Sequence, residues 1–142
     1  MKPKGVVVDT SALLAFFDAN EPQHDAVVEA IQSSRAPLIV SPYVIAELDY
    51  LVMTQHGVRA QRTILTEIAG GAWELASMDR ARLADANRIV ERFADIPVGV
   101  ADASNVVLAE VYGTRCIVTL DRRHFTILRF SVAAPRHLAR HA

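Results

Sequence analysis

The sequence predicts an α/β fold in which helices flank a mostly parallel central sheet. Short runs of apolar, largely β-branched residues alternate along the chain with longer stretches of helical periodicity. The central positions of these short runs are all apolar, which is typical of strands buried on both faces of a parallel sheet. The chain has 142 residues, and 51% of them are hydrophobic, which is enough to fill one core.

The first half of the chain contains two predicted strands and four predicted helices. The strands are residues 5–9 and 37–41, and the helices are residues 11–17, 21–33, 42–56 and 59–69. Ser41 and Pro42 predict the start of the third helix, because serine caps helices and proline suits the first helical position. Gly57 predicts its end, since glycine accepts the left-handed conformation that follows many helices.

The second half contains three predicted strands and two predicted helices. The strands are residues 73–76, 116–120 and 129–132, the last at an edge of the sheet, and the helices are residues 80–93 and 101–112. Asp79 is the predicted cap of the first helix, and Gly113 ends the second. Trp73 is expected in the core. No repeat, low-complexity tract or linker divides the sequence, so we expect one domain over residues 1–142.

The composition excludes several classes of protein. A charged fraction of 22% beside the high hydrophobic content excludes intrinsic disorder. No apolar run approaches the ~20 residues of a membrane-spanning helix. Asp9 also interrupts the apolar stretch that a signal peptide needs. The single cysteine, Cys116, cannot form an internal disulfide, so we expect a reduced, cytoplasmic protein without a membrane partner.

The charge is distributed unevenly along the chain. The net charge is −1, but residues 1–58 contain three Lys or Arg against seven Asp or Glu, a balance of −4. Residues 115–142 contain six Arg against one Asp, a balance of +5. This basic C-terminal part could bind a polyanion, or it could pair with the acidic half.

Two carboxylates directly follow predicted strands. Asp9 ends the first strand, and Asp121 follows the strand at residues 116–120. Open α/β sheets bind ligands beyond the carboxyl ends of their strands, so both residues are candidates for a functional site. Either residue could instead cap a helix or form a turn.

Three further acidic residues lie on predicted helices. Asp102 shares a face with Asn105 on a helix that is apolar nearly all round and therefore predicted to be buried. A buried carboxylate needs a neutralising partner, which favours function, although a first-turn carboxylate also gains from the helix dipole. Glu47 and Asp49 border opposite edges of one apolar helix face, so periodicity does not choose between them.

Clustered carboxylates favour a hard divalent cation. Mg²⁺ and Mn²⁺ prefer oxygen ligands. A zinc site is poorly supported, because the sequence has one cysteine. Its five histidines include one pair with the four-residue spacing of ligands on a helix, and that pair lies in the C-terminal tail. A cation held by acidic residues indicates phosphoryl chemistry.

Four segments resemble, in order, the motifs of PIN-domain proteins. They are residues 7–15, 41–48, 101–109 and 119–125, and they contain Asp9, Glu47, Asp102 and Asp121 respectively. The resemblance covers about residues 6–132, and residues 133–142 are expected to form a poorly ordered tail. Among PIN-domain proteins, this single-domain form is most similar to the VapC toxins of bacterial toxin–antitoxin pairs. The fold that this resemblance implies is a PIN-like α/β/α sandwich.

The resemblance implies a Mg²⁺- or Mn²⁺-dependent toxin endoribonuclease that cuts tRNA or ribosomal RNA and leaves 3′-hydroxyl and 5′-phosphate ends. Asp9 and Asp102 would be the main metal ligands, with Glu47 and Asp121 completing the acidic pocket. The choice of Glu47 over Asp49 comes from the resemblance alone.

Four polar residues are expected to support the carboxylates. Thr10 or Ser11 is expected to donate a hydrogen bond to Asp9, and Thr119 to donate one to Asp121. Asn105 is expected to support the site from the face of Asp102.

The resemblance also implies partners. These are a homodimer, a cognate VapB-like antitoxin that neutralises the toxin, and a higher toxin–antitoxin assembly. RNA contacts are expected from arginines near the site. These arginines can equally balance the charge of the acidic half of the chain. The residues are Arg115, Arg122, Arg123 and Arg129. Tyr43 and Tyr50 could stack on bases, but core or dimer packing explains them better.

Other classes with an aspartate after a strand fit less well. A receiver domain needs a lysine near the late strands, whereas the lysines here are Lys2 and Lys4. Haloacid-dehalogenase-type enzymes need a second aspartate two residues after the first, where this chain has Ser11. A P-loop is absent from the sequence. The alternative that stays open is a PIN-like module that binds RNA or a protein without cutting.

Overall fold

A five-stranded parallel sheet lies at the centre of the structure, a computed structural model that describes residues 4–121 and the backbone of residues 131–132. The strands are β1 (Val6–Val8), β2 (Leu38–Val40), β3 (Glu74–Leu75), β4 (Cys116–Val118) and β5 (Ser131–Val132). Their order across the sheet is β3-β2-β1-β4-β5, and each adjacent pair is parallel. The predicted α/β class is confirmed, and the last strand lies at an edge of the sheet, as predicted.

Six helices occupy the described part of the chain. They are α1 (Thr10–Phe17), α2 (His24–Gln32), α3 (Pro42–His56), α4 (Val58–Ala69), α5 (Arg80–Arg92) and α6 (Val100–Val111). Five of the six lie within one residue of the predicted bounds. The prediction that α2 begins at residue 21 is wrong. Two successive turns precede the helix, in which the Glu21 N–H donates to the Asp18 carbonyl at 3.0 Å and the His24 N–H to the Glu21 carbonyl at 2.9 Å.

The predicted capping residues define both ends of α3 and the start of α5. The Ser41 hydroxyl accepts the backbone N–H of Tyr43 at 3.1 Å, and Gly57 ends α3 with φ of +90°. Asp79 caps α5 by accepting the backbone N–H of Arg82 at 2.9 Å. These side chains satisfy N–H groups that the first turn of a helix leaves without a partner.

Two hydrophobic clusters lie on opposite faces of the sheet. Side chains alternate along β1, so Val6 and Val8 belong to the cluster formed mainly with α1, α2, α3 and α4. Val7 belongs to the other cluster, in which it packs with α5 and α6. Helices thus cover both faces, which confirms the predicted α/β/α sandwich.

The three predicted aromatic positions have different environments. Trp73 is in the core, where its ring centroid lies 5.4 Å from that of Phe16, as predicted. Tyr43 packs against the same core. Tyr50 is 62% exposed, so core packing is wrong as an explanation for this residue.

Within the described residues, no helix combines the length and apolar character needed to span a membrane. The predicted tail at residues 133–142 lies outside the described residues.

The carboxyl ends of three neighbouring strands meet at one edge of the sheet. Val8 of β1 is in register with Val118 of β4, and Val7 is in register with Ile117. β2 flanks β1 on its other side in the same direction. The first residues after these strands are Asp9, Ser41 and Thr119, and all three are buried. We call this edge the carboxyl edge.

Candidate active site

Asp9 occupies the helix-cap position of α1 but does not use its side chain as a cap. The residue directly follows β1 and is 5% exposed, and its side chain makes no capping hydrogen bond to α1. The carboxylate is held instead by side chains from three different segments of the chain. The alternative that Asp9 is only a capping residue is therefore wrong.

Two hydroxyl groups saturate one oxygen of the Asp9 carboxylate. Ser11 Oγ donates to Asp9 Oδ2 at 3.0 Å, and Thr119 Oγ1 donates to the same oxygen at 2.9 Å. The two hydroxyl oxygens lie 3.2 Å apart. Because each hydroxyl has one hydrogen, both donors are committed to Asp9, and the carboxylate orientation is fixed.

Backbone groups after β4 in turn hold these hydroxyls. The N–H of Leu120 donates to Ser11 Oγ at 3.0 Å, and the N–H of Asp121 donates to Thr119 Oγ1 at 2.8 Å. The expectation that Thr119 donates to Asp121 is wrong, since its only hydrogen goes to Asp9. Ser11, rather than the Thr10 side chain, donates to Asp9; the buried Thr10 Oγ1 has no hydrogen-bond partner among the described residues.

The second Asp9 oxygen has a weaker side-chain contact. Asn105, which is 0% exposed, donates from Nδ2 to Asp9 Oδ1 across 3.4 Å, at the long end of hydrogen-bond distances. The Oδ1 of Asn105 has no partner among the described residues. A buried amide oxygen normally has a donor, so this end of the pocket has unused capacity for hydrogen bonding or coordination.

Burial raises the pKa of Asp9 above its ordinary value of 3.8. Desolvation is the largest cause, because the charged form loses water. Hydrogen bonds from Thr119, Ser11 and the Thr10 backbone oppose this rise in the pKa. The negative charge of Glu47 adds to it. The charged form of Asp9 is therefore disfavoured in the metal-free protein, and either a proton or a bound cation would relieve this cost.

Glu47, rather than Asp49, is the α3 carboxylate whose charge acts on Asp9. Glu47 is exposed, and its negative charge makes a small contribution to the raised pKa of Asp9. Asp49 contacts α4 instead, where it accepts a hydrogen bond from Gln61 Nε2 at 2.6 Å. The structure thus separates two residues that helical periodicity leaves equivalent.

Asp102 lies in the first turn of α6, one turn before Asn105. It is half-buried, and α6 packs against β1, whose end carries Asp9. Most of this helix is buried, as its apolar composition predicts. Asp121 is exposed just beyond β4, and its backbone is tied to Thr119, which itself binds Asp9.

The donor set suits Mg²⁺ or Mn²⁺ better than a softer metal. Within residues 4–121, no three His, Cys, Asp or Glu side chains are grouped closely enough to hold a metal ion by themselves. Mg²⁺ does not need such a cage, because it keeps several waters and commonly binds one or two carboxylates together with substrate phosphates. The buried Asp9 carboxylate and the unpaired Asn105 oxygen beside it fit a cation of that kind.

The predicted RNA-contacting arginines can be assessed at one position. Arg115 is exposed in the segment between α6 and β4. Because it precedes β4, it lies at the amino end of the strand, opposite the carboxyl edge, so the expectation that it is near the site is wrong. Arg122, Arg123 and Arg129 lie outside the described residues.

Ser104 is a buried polar residue of this region whose role is not predicted from the sequence. It lies on α6, and its hydroxyl is 2.6 Å from that of Ser41, which the sequence predicts only as a helix cap. A serine between two alanine positions and the valines of a mostly buried helix is the sequence signal that indicates it.

Comparison with known proteins gives a consistent family relationship. The PIN domain family matches residues 6–130 of the chain. Ribonuclease VapC26 of Mycobacterium tuberculosis (strain ATCC 25618 / H37Rv) is 60% identical over 124 residues, which cover 87% of this chain and 92% of that protein.

Two solved structures share the fold. The crystal structure of Mycobacterium tuberculosis VapC20, described as a sarcin-ricin loop cleaving toxin, matches with a TM-score of 0.82 at 18% identity and covers 89% of this chain and 96% of VapC20. VapBC2 from Rickettsia felis, bound to a DNA fragment from its promoter, matches with a TM-score of 0.66 at 14% identity. That match covers 92% of this chain and 98% of the other.

Proposed function

We propose that this chain is a toxin endoribonuclease that hydrolyses phosphodiester bonds of tRNA or ribosomal RNA with Mg²⁺ or Mn²⁺. The chain belongs to the PIN-domain family and, within it, to the VapC proteins. The observation that carries the proposal is the buried Asp9 carboxylate, whose pKa is raised by burial and by Glu47. Four polar groups fix this carboxylate directly after a central strand, at the edge of the sheet where open α/β folds bind ligands. A poised carboxylate of this kind is typical of functional sites.

Asp9 and Asp102 are the proposed main ligands of the cation, and Glu47 and Asp121 complete the acidic pocket. The bound cation supplies the positive charge that neutralises these carboxylates and stabilises developing negative charge on the phosphate. Because hydroxyls hold Asp9 Oδ2, the Oδ1 atom is the oxygen that remains available for coordination. Asn105 keeps this oxygen in place from the buried side.

Glu47 is the proposed general base, which accepts a proton from the attacking water. It is exposed, so it can meet both solvent and substrate, and its charge acts on Asp9. In-line attack of water on the phosphorus breaks the bond to the 3′-oxygen, which leaves a 3′-hydroxyl and a 5′-phosphate. The proposed RNA contacts beside the site come from Arg122, Arg123 and Arg129, because the acidic pocket itself repels the RNA backbone. A contact from Arg115 would have to involve a more distant part of the RNA, since this residue precedes β4 at the amino end of the strand.

The proposed partners follow from the relatives. VapC20 is named for cleaving the sarcin-ricin loop, which supports a ribosomal target. VapBC2 is named as a VapB–VapC pair bound to promoter DNA, which supports a VapB-like antitoxin that neutralises this chain. A homodimer and a higher toxin–antitoxin assembly are proposed from the family resemblance. Since tRNA and ribosomes are cytoplasmic, we place the activity in the cytoplasm.

The test is end-mapping of total bacterial RNA after incubation with the purified, antitoxin-free protein. Parallel reactions contain Mg²⁺, Mn²⁺ or EDTA, and Asp102→Asn is the control for contaminating nuclease. We expect a few discrete cuts that need the metal and disappear in the variant. Discrete RNA binding without cuts by the folded, metal-supplied protein would instead support a catalytically silent PIN-like binding module.

A further inference from the structure

Two buried serines join the helices that carry Glu47 and Asp102. Ser41 caps α3, and Ser104 lies in the second turn of α6; both are 0% exposed. Their hydroxyl oxygens are 2.6 Å apart, although 63 residues separate them in the sequence. This distance is at the short end of the ~2.5–3.0 Å range of hydroxyl hydrogen bonds. The starts of the two helices are thus bonded directly to each other.

The neighbours of this pair determine which hydroxyl donates. Ser104 Oγ donates its hydrogen to the Ala101 carbonyl at 2.7 Å, so it accepts the hydrogen of Ser41. Ser41 Oγ in turn accepts the backbone N–H of Tyr43 at 3.1 Å. Each hydroxyl donates once and accepts once. The resulting chain of hydrogen bonds has no unpaired member, which is the arrangement in which buried polar groups rigidify a structure.

Both ends of this chain of hydrogen bonds are close in sequence to carboxylates of the proposed acidic pocket. Ala101 immediately precedes Asp102, and Tyr43 lies one helical turn before Glu47. Ser41 itself follows β2 at the carboxyl edge, next to the strand that ends at Asp9. The hydrogen bonds therefore link the starts of the two helices near the carboxyl edge of the sheet, where Asp9 lies.

Helix stability does not account for Ser104. Alanine is the better helix former, and a serine hydroxyl that bonds back to a carbonyl of its own helix tends to weaken the helix. An alanine would also suit the apolar surroundings of α6. The hydroxyl contributes a cross-link between α3 and α6 that no apolar side chain can supply.

We propose that Ser41 and Ser104 form a positioning pair that sets the separation of α3 from α6, and thereby the distance between Glu47 and Asp102 around the cation. This inference rests on the proposed function. Mg²⁺ binds at about 2.0–2.1 Å with near-octahedral geometry, so a small change in the separation of the two helices alters its coordination. The serines act through Glu47 and Asp102 and touch neither metal nor RNA.

The test is Mn²⁺ titration by calorimetry of Ser104→Ala, alongside thermal unfolding of the same protein. We expect about tenfold weaker Mn²⁺ binding, as for groups that support metal ligands without contacting the metal. Thr114→Ala is the matched control. Thr114 is also buried, and its hydroxyl accepts the Cys116 N–H at 3.1 Å, but it lies before β4 at the opposite end of that strand from Thr119. Its loss should lower thermal stability and leave Mn²⁺ affinity unchanged.

A double-mutant cycle tests whether the two serines affect Mn²⁺ binding through their shared hydrogen bond. If the serines act together, Ser41→Ala combined with Ser104→Ala binds Mn²⁺ no more weakly than the weaker single variant. Ser104→Cys, whose larger sulfur cannot keep the 2.6 Å contact, provides the same test if Ser104→Ala does not fold.

Two results would overturn the positioning role. One is wild-type Mn²⁺ affinity in Ser104→Ala, and the other is an equal loss of affinity in Thr114→Ala. A wild-type protein that binds no Mn²⁺ would contradict the proposed function itself, and the inference with it.

Discussion

The Thr119 hydroxyl donates a hydrogen bond to Asp9 Oδ2 across 2.9 Å, although 110 residues separate the two in the sequence. The contact exists because β1 and β4 are parallel neighbours in register, so the residues that follow them meet at the carboxyl edge. With Ser11 on the same oxygen, Thr119 leaves only Asp9 Oδ1 for a cation. The orientation of the central carboxylate thus depends on side chains from both ends of the chain.

Replacing Asp9 by asparagine is expected to stabilise the metal-free protein at neutral pH. The pKa of Asp9 is raised in the folded state, so folding favours the protonated form. The stability that this proton confers is complete below about pH 3.8 and is lost as the pH rises through the folded-state pKa. Asp9→Asn removes the buried charge, and its new amide can donate to Asn105 Oδ1 once the Asn105 amide turns over to present its oxygen.

Urea unfolding in EDTA at a series of pH values measures this effect. The difference in the free energy of unfolding between Asp9→Asn and wild type should grow in favour of the variant from about pH 4 upward, and then level off. A variant that is less stable than wild type at pH 7 would show that the buried charge is already compensated within the protein.

Replacing Thr119 by valine is expected to weaken Mn²⁺ binding about tenfold at pH 7. Valine removes a hydrogen bond that fixes the Asp9 carboxylate and lowers its pKa, so protons compete more strongly with the metal for this side chain. The loss should shrink as the pH is raised. Thr119→Ser keeps the hydroxyl and should restore binding.

The matched control for that substitution is Thr114→Val, which also removes a buried threonine hydroxyl. An equal loss of Mn²⁺ affinity in both valine variants, or no pH dependence in Thr119→Val, would contradict the specific action of Thr119 on Asp9.

The two carboxylates of α3 are expected to behave differently. Glu47→Gln should reduce RNA cleavage by about tenfold or more, because it removes the exposed carboxylate whose charge acts on Asp9. Asp49→Asn should leave cleavage unchanged, since Asp49 bonds to Gln61 on α4. Initial cleavage rates of the two folded variants on one RNA substrate measure the difference. The reverse order of effects would assign the α3 carboxylate of the site to Asp49.

The sequence predicts the elements of this fold well because their signals are local. Ser41, Pro42 and Gly57 define α3 through capping and backbone conformation, which depend on a few neighbouring residues. The start of α2 is not predicted, because Pro22 marks a turn as readily as a helical first turn and only the hydrogen bonds around it decide.

The contacts within the candidate site are less predictable because they join distant segments. Periodicity leaves Glu47 and Asp49 equivalent, and the difference between them appears once α3 is packed beside β1 and α4. The partner of Thr119 is set by the register of two strands, and that of Ser104 by the crossing of two helices. Neither register nor crossing is encoded in local spacing.

The central claim is that the pocket around Asp9 holds a divalent cation, and the most direct measurement is a crystal structure of the protein grown with Mn²⁺, with anomalous scattering to locate the metal. The account predicts an anomalous peak about 2.1 Å from Asp9 Oδ1, with Asp102 beside it, and no peak there in crystals of Asp9→Asn grown in the same way. A well-ordered pocket without a peak at Asp9 Oδ1, or an unchanged peak in Asp9→Asn, would contradict it.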